Sequence, residues 1–436
     1  MTFKESIDYL YGLGNEVSAM KLGLANIKIL LDALGNPEKK YKKVQIAGTN
    51  GKGSTCAFLE AMCISARIKI GLTTSPHLIS ITERIKIGGT EISEKDFARH
   101  ATRIRKTSEK LVVEKKLEAV PTFFEQTTAI ALNAFAEAKI ELAILETGLG
   151  GRFDATTAAR AEIVAITQID FDHQKILGNT LSEIAAEKVA IIRADTKVVF
   201  AKQSEEAEKV IRNRCAKVGV SPHSADFDAE ITGVSESGKL LVNFLSDVRK
   251  YENVRLNLLG KHQIGNAKVA ILLAEILQED GFNLTKNDII AGLQNAVHKG
   301  RLEFRGNFLF DGAHNVAGAR ALRKFLDEFI NKKIILIFGA MNDKDLREIG
   351  EIIFPVCDKI IFTEPDNERS ARASELMKFL SKDFDKEVSF QTETVAEALK
   401  LAEKISIKDD LICVSGSLYL VGEAQKELAA RGEMQP

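Results

Sequence analysis

The stretch KVQIAGTNGKGSTCAFLEAMCISA, residues 43–66, changes its period in the middle. Val44 and Ile46 alternate with polar neighbours, as a strand requires, whereas Phe58, Leu59, Met62 and Cys63 recur at helical spacing. Between them stand Gly48, Gly51 and Gly53 around Lys52. Glycines let successive N–H groups curl toward one anion, a helix beginning near Ser54 adds the positive end of its dipole, and Lys52 adds a full charge. Strand, glycine loop and helix therefore read as a phosphate cradle. The loop is a compressed one. Only Thr49 and Asn50 separate Gly48 from Gly51, and Gly53 intervenes before Ser54 and Thr55, where the common nucleotide-binding pattern has four residues and then Ser or Thr directly after the lysine.

Outward from this loop the chain has room for more. Its 436 residues can bury two or three cores. With 60 Lys and Arg against 61 Asp and Glu, the formal charge of -1 speaks against a general binder of nucleic acid or of acidic membranes. The start, MTFKESIDYL, lacks a basic flank before an apolar run, and no apolar stretch approaches a membrane span. A cytoplasmic protein is expected. Cys56, Cys63, Cys215, Cys357 and Cys413 are odd in number and form no C-x-x-C pair, which points to reduced core thiols.

Strands and helices alternate along the first half. Residues 2–34 read as one or two helices closed by Gly35 and a turn at Asn36-Pro37. Strands are expected at 69–74, at 85–87 before a Gly88-Gly89 turn, at 140–145, at 162–169 and at 197–201, with helices at 96–118, 123–138 and 181–193. Such alternation implies a mostly parallel sheet whose ligands gather outside the carboxyl ends of the strands, where residues 48–54, Ser75, Glu146 and His173 collect. Residues 224–254, around Ser237-Gly238, read as an antiparallel appendage. Helices at 263–277 and near 287–296 lead to His298-Lys299-Gly300-Arg301, the expected boundary between a domain of residues 1–297 and a smaller Rossmann-like α/β domain of residues 298–436. That second domain, with strands at 308–310, 334–338, 359–363 and 411–414, has no phosphate loop of its own.

Several residues in these positions carry chemistry. Glu146 ends an apolar strand one step from the cradle, placed to hold magnesium on a triphosphate. Ser75 offers a hydroxyl from another strand end, and His173 follows Asp170 and Asp172 on the same rim, although a solvated histidine fits that setting too. Lys188 lies in the apolar stripe Leu181, Ile184, Ala185, Lys188, Ile192. A buried ammonium is costly, so its head reaches water, meets an acid or is chemically altered. Arg301, beside Gly300 and Glu303, and Asp311 with His314 flank a short strand from which they can address phosphate and ribose across a cleft.

Taken together the motifs carry a family likeness. GTNGKGS at Gly48, TSPHL at Thr74, ERIKI at Glu83, TFFE at Thr122, ETGLGGRFDAT at Glu146, DHQKILG at Asp172, HQIGN at His262, GRLE at Gly300, DGAHN at Asp311 and GSLYLVG at Gly416 resemble the folylpolyglutamate synthases and dihydrofolate synthases, the folate branch of the Mur ligases. The resemblance runs from about residue 22 to residue 422. It implies ATP-dependent amide formation: a substrate carboxylate takes the γ-phosphoryl group, and the acyl phosphate is attacked by the amine of L-glutamate. Gly51, Lys52, Gly53 and Ser54 would hold the phosphates, and Ser75, Glu146 and His173 would ligate Mg2+. Lys188 matches a lysine that the family carries as a carbamate, and Asn266, Arg301 and Asp311 match ATP contacts. Dihydropteroate or a reduced folate would lie near Leu22, Gly23 and Leu24, near Thr122, Phe123, Phe124 and Glu125, and near Phe153, Asp154 and Ala155, with Phe123 and Phe124 offering rings that stacking and core packing explain equally well. His314 and Ser417 would lie near the incoming glutamate. The resemblance further implies small-molecule substrates; a monomer is expected, and charge and hydropathy give no reason to expect nucleic acid or a membrane as partner.

Two departures stand beside motif residues. Val189-Ala190-Ile191 follows Lys188 where Ala-Gly-Ile is usual, and Thr157 stands where the family has asparagine. Two other readings compete. A peptidoglycan Mur ligase carries a nucleotide-sugar domain ahead of the loop, whereas 47 residues precede Gly48 here. A nucleotide-dependent switch or binding module would need no Glu146, His173 and Lys188 on one rim.

Overall fold

The computed structural model describes residues 1–14, 23–235, 237–380 and 386–432. Among them eight strands build the first sheet: β1 (Lys42–Ala47), β2 (Ile70–Thr73), β3 (Ile85–Ile87), β4 (Thr90–Glu91), β5 (Leu142–Glu146), β6 (Ile163–Ile166), β7 (Lys197–Phe200) and β8 (Pro222–Ser224). Their order is β4-β3-β2-β5-β1-β6-β7-β8. The run from β2 to β8 is parallel, while β3 and β4 turn back antiparallel at one edge. Strand β1 lies in the middle, so its loop opens between the strand ends that deliver Glu146 and the segment leading to His173.

Both faces of this sheet are covered, which is why its strands are almost continuously apolar. The helix Lys52–Ser65 packs on one face with the helices Gln263–Glu279 and Lys286–Asn295, around Val44, Ile46, Phe58 and Met62. On the other face the helices Phe123–Ala138 and Glu94–Val113, with Phe3–Tyr11 and Ala25–Ala33, enclose Ala143, Leu145, Phe135 and Ile104. A three-stranded antiparallel sheet, β9 (Asp228–Val234), β10 (Leu240–Leu245) and β11 (Lys250–Arg255), closes over the first of these cores.

The third sheet is formed by β12 (Glu303–Arg305), β13 (Phe308–Asp311), β14 (Ile334–Phe338), β15 (Lys359–Phe362), β16 (Ser389–Gln391) and β17 (Leu411–Ser415), in the order β12-β13-β17-β14-β15-β16. All its pairs are parallel except β12 with β13. Sequence reading leaves out β4, β8, β12 and β16 and the helix Glu205–Val218. It also runs two helices too far. The one expected to end at 118 stops at Val113, and the one expected over 181–193 stops at Lys188, with a 3-10 turn over Val189–Ile191 carrying Ile192 into the core. All five cysteines are free and buried. No described helix is long and apolar enough to cross a membrane.

Candidate active site

Strand β1 stops at Ala47, and Gly51 turns the chain into the following helix with φ of 86°. A Cβ on Gly51 would also collide with Asn266 Oδ1, so glycine is required there on two grounds. The helix starts at Lys52, two residues earlier than its apolar period shows, so the N–H groups of the first turn belong to the loop itself. Lys52 Nζ donates to the carbonyls of Gly48 and Thr49, at 3.1 Å each, which folds the ammonium over the loop. Asn50 Nδ2 is buried without a partner in the protein, a donor suited to an anion.

Glu146 reaches this loop from the end of β5. Its Oε2 accepts the Ser75 N–H at 3.1 Å, and its Oε1 lies 3.5 Å from where a Gly53 Cβ would stand. Burial pushes the carboxyl up, against the pull of the Lys52 charge. His173 adopts φ of 49° after β6, with its ring held down to about 4 by burial. Ser75, Glu146 and His173 line one cleft with residues 48–54. Among the described residues no three His, Cys, Asp or Glu side chains gather to hold a metal ion. One hydroxyl, one carboxylate and one imidazole suit a dication that keeps phosphate oxygens among its ligands.

Lys188 answers the question its stripe raises. The side chain does not reach water: it is 4% exposed, and Nζ donates to the Gly48 carbonyl at 2.9 Å. Its first neighbour is thus a carbonyl of the cradle. Burial, reinforced by the Lys52 charge, pushes its amine down to about 7.

From the third sheet, Arg301, Asp311 and His314 enter the same cleft, facing Asn266. Asp311 accepts the N–H groups of Leu302 and Ala313 at 2.9 and 3.0 Å, so its carboxylate also fixes the loop that carries Arg301. His298 enters too, with Nδ1 3.1 Å from Ser54 Oγ, and burial holds its ring down to about 3.

Asp172 ties the two sheets together. It meets Lys344 Nζ at 2.5 Å and Asn315 Nδ2 at 3.3 Å, with His314 Nε2 and His173 Nε2 at 3.7 and 3.8 Å. Asn315 also donates to Asn50 Oδ1 at 3.1 Å. Burial works to raise the Asp172 carboxyl, yet His314 and Lys344 hold it well below the usual carboxylate range. Sequence reading places Asp172 only beside His173 and misses Lys344, Asn315 and His298. DGAHN points to Asn315, whereas nothing local marks the other two.

A second cavity adjoins the cleft and shares Ser75, Gly148, Leu149, His173, His314 and Leu418 with it. Gly23, residues 122–125 and residues 153–155 line it, with Ser417 from the third-sheet side. So do Met341, Lys344, Arg369 and Tyr419, which sequence reading misses. Leu22 lies outside the described residues, and Leu24 packs on the core beneath. The rings differ in what they can offer. Phe123 is 2% exposed, stacked on Tyr11 at 5.7 Å with the Arg84 guanidinium 5.3 Å away, so of its two readings the structure takes core packing. Phe124 lies against Gly148, and Phe153 stands 43% exposed at the lip. Thr122 and Glu125 form a capping box, and Asp154 accepts the N–H groups of Gly148, Leu149 and Thr156. Thr157 has a use of its own: Gln45 Nε2 donates to its hydroxyl at 2.8 Å and to Thr156 at 2.9 Å, pinning the loop to β1.

Comparison with known proteins gives matches over both halves. Residues 46–274 match the Mur ligase middle domain and residues 300–418 the Mur ligase glutamate ligase domain. The chain is 34% identical to the dihydrofolate synthase/folylpolyglutamate synthase of Bacillus subtilis, over 94% of this chain and 95% of that one. A Mycobacterium tuberculosis folylpolyglutamate synthase complexed with ADP superposes with a TM-score of 0.90 at 28% identity, covering 97% of each chain. The Escherichia coli FolC in complex with DHPP and ADP superposes with a TM-score of 0.87 at 26% identity, covering 99% of each.

Proposed function

The chain belongs to the folylpolyglutamate synthase and dihydrofolate synthase family of Mur ligases, ATP-dependent ligases that add glutamate to folates, and from that premise we propose how its residues divide the work. Gly51, Lys52, Gly53 and Ser54 bind the phosphates of ATP, and Asn266, Arg301 and Asp311 hold the rest of the nucleotide. Ser75, Glu146 and His173 hold Mg2+, which when bound neutralises charge on the transferring phosphoryl group. Dihydropteroate or a reduced folate occupies the second cavity, between Phe124 and Phe153, with its carboxylate directed at the shared wall. A carboxylate oxygen attacks the γ-phosphorus and ADP leaves. The glutamate amine, beside His314 and Ser417, then attacks the acyl carbon, phosphate departs and the amine gives up a proton. Lys52 supplies positive charge as the phosphoryl group moves.

Lys188 reacts with carbon dioxide as a free amine and is carried as a carbamate. An amine titrating near 7 supplies the free base at neutral pH, and an anion there would balance Lys52. The division between the two domains falls at residue 298, and the protein acts as a monomer. What carries the whole reading is the wall shared by the two cavities, since an acyl phosphate has to form where nucleotide and acceptor substrate meet.

The test is ADP release by the purified chain with ATP and Mg2+, with dihydropteroate compared against tetrahydrofolate. Release should require both a pteroate substrate and L-glutamate; nucleotide turnover indifferent to glutamate would favour a switch instead. Lys52→Ala should lower kcat by about 100-fold or more, and near-normal turnover would remove Lys52 from the reaction.

A further inference from the structure

The loop between β2 and the turn Ile81–Arg84 carries Ser75 and Pro76, which line both the cleft and the second cavity. This loop is held along its length. Glu83 accepts the N–H groups of Leu78, Ile79 and Ser80, each at 2.8 Å, and the Ser75 N–H donates to Glu146 Oε2 at 3.1 Å. A carboxylate shared by three successive N–H groups fixes their backbone, so a displacement at Leu78 carries along the loop toward Ser75.

Leu78 itself crosses to the other half of the chain. Its side chain packs on the core that holds Phe310, Leu420 and Val421, with its methyl groups against Gly300. Its backbone lies on the helix Leu418–Ala430, where a Cβ on Gly422 would stand 2.0 Å from the Leu78 carbonyl oxygen and 2.7 Å from the carbonyl carbon. Gly422 does not adopt a positive φ, and inside a helix glycine is weaker than alanine. What this glycine supplies is room for the backbone of the loop. The walls of the seat are joined to each other, because Glu303 accepts the Gly300 N–H at 2.7 Å and Gln425 Nε2 at 3.0 Å. One turn before Gly422 the same helix begins at Leu418, which lines both cavities, after Ser417, which lines the second.

We propose that Leu78 and Gly422 are positioning residues for amide formation: the seat they form sets Ser75 and Pro76 of one half against Ser417 and Leu418 of the other, and with them the approach of the glutamate amine to the acyl phosphate. This rests on the reaction proposed above. Neither residue lines the cleft or the second cavity, so both act through the segments that do. When the seat is disturbed, the acyl phosphate forms where the amine no longer meets it. Water then attacks the acyl carbon, the carbon–oxygen bond to phosphate breaks, and the original carboxylate returns. ADP is made without amide.

The ratio of ADP released to amide formed tests it, measured on the full chain with ATP, Mg2+, L-glutamate and either dihydropteroate or tetrahydrofolate. Gly422→Ala forces helix and loop to part by about 1 Å, and a misplacement of that size should lower the rate of amide formation about 100-fold. Calorimetric ADP binding should stay that of the wild type. The products should pass from parity to an excess of ADP of about threefold or more. Leu78→Ala, which empties the seat but leaves the carbonyl, should shift the ratio the same way, and Leu78→Met, which keeps the volume, should restore parity. The two alanine changes together should lose no more than Gly422→Ala alone. Parity in Gly422→Ala overturns the proposal however slow the variant is, because a loss of stability lowers both products alike. Should that variant not fold or not turn over, Leu78→Ala decides: excess ADP supports the role and parity overturns it. A wild-type chain that forms amide from neither acceptor overturns the underlying reaction instead.

Discussion

Lys188 is a charge in a place built for apolar groups, and its cost should be measurable. In the unfolded chain its amine holds a proton up to about 10.5, whereas in the fold it does so only to about 7. Between those values the unfolded state binds more protons, so raising the pH favours the folded state. The penalty is fully present below 7 and gone above 10.5. Lys188→Met should therefore stabilise the nucleotide-free protein at pH 6.5 by several kcal/mol, on the order of 3–5, and by much less at pH 9.5. Denaturant midpoints at the two pH values check this; an advantage independent of pH would mean that the ammonium is not strained by burial. The apolar stripe makes Lys188 legible in the sequence as a lysine on a buried face. Its partner is not legible, because Gly48 lies 140 positions away and the two meet only when β1 and β6 pair. Asp172 carries no role in the sequence for the same reason: both neighbours that fix its charge, Lys344 and His314, come from the other half of the chain.

Elements follow a similar rule. Long periodic ones, such as the helix Phe123–Ala138 and the strand β14, are found with their bounds because each carries its own pattern. Strands β8, β12 and β16 have three residues apiece, too few to show a period, and exist because a neighbour offers a ladder; β3 is as short, but the Gly88-Gly89 turn behind it marks its end. Thr122 shows how an element can claim a residue that family likeness assigns to a ligand. Its hydroxyl caps the helix at the Glu125 N–H, and Glu125 returns a carboxylate to the Thr122 N–H at 2.8 Å. Thr122→Ala should cost about 1 kcal/mol of stability, with Thr122→Ser close to neutral. Thermal unfolding reads the cost; if Thr122→Ala leaves the melting temperature unchanged but raises KM for the folate, the hydroxyl serves the substrate and not the helix.

At the scale of the molecule, one carboxylate joins the two halves beside the Asn315–Asn50 hydrogen bond. Lys344 and Asp172 are nearly buried, at 7% and 9% side-chain exposure, and belong to different halves of the chain. Removing one partner of such a pair leaves the other charge stranded. Lys344→Met should cost about 3 kcal/mol or more and divide a single calorimetric transition into two as the halves uncouple. Asp172→Asn added to it should recover part of the loss. One unshifted transition in Lys344→Met would show that this carboxylate does not couple the halves. This junction is the part of the site the sequence says least about, since it is written in residues that are ordinary within their own segments.

Every sulfhydryl in the chain lies beneath the surface, divided among separate cores. A single cysteine introduced at Val113 or Ile407, which are 82% and 65% exposed, would then be the preferred target for a maleimide. Placed together, the two positions would carry a pair of spin labels or dyes, one on each lobe. Any change in the separation of the lobes on adding nucleotide could then be read as a distance in solution, without first stripping out the native thiols.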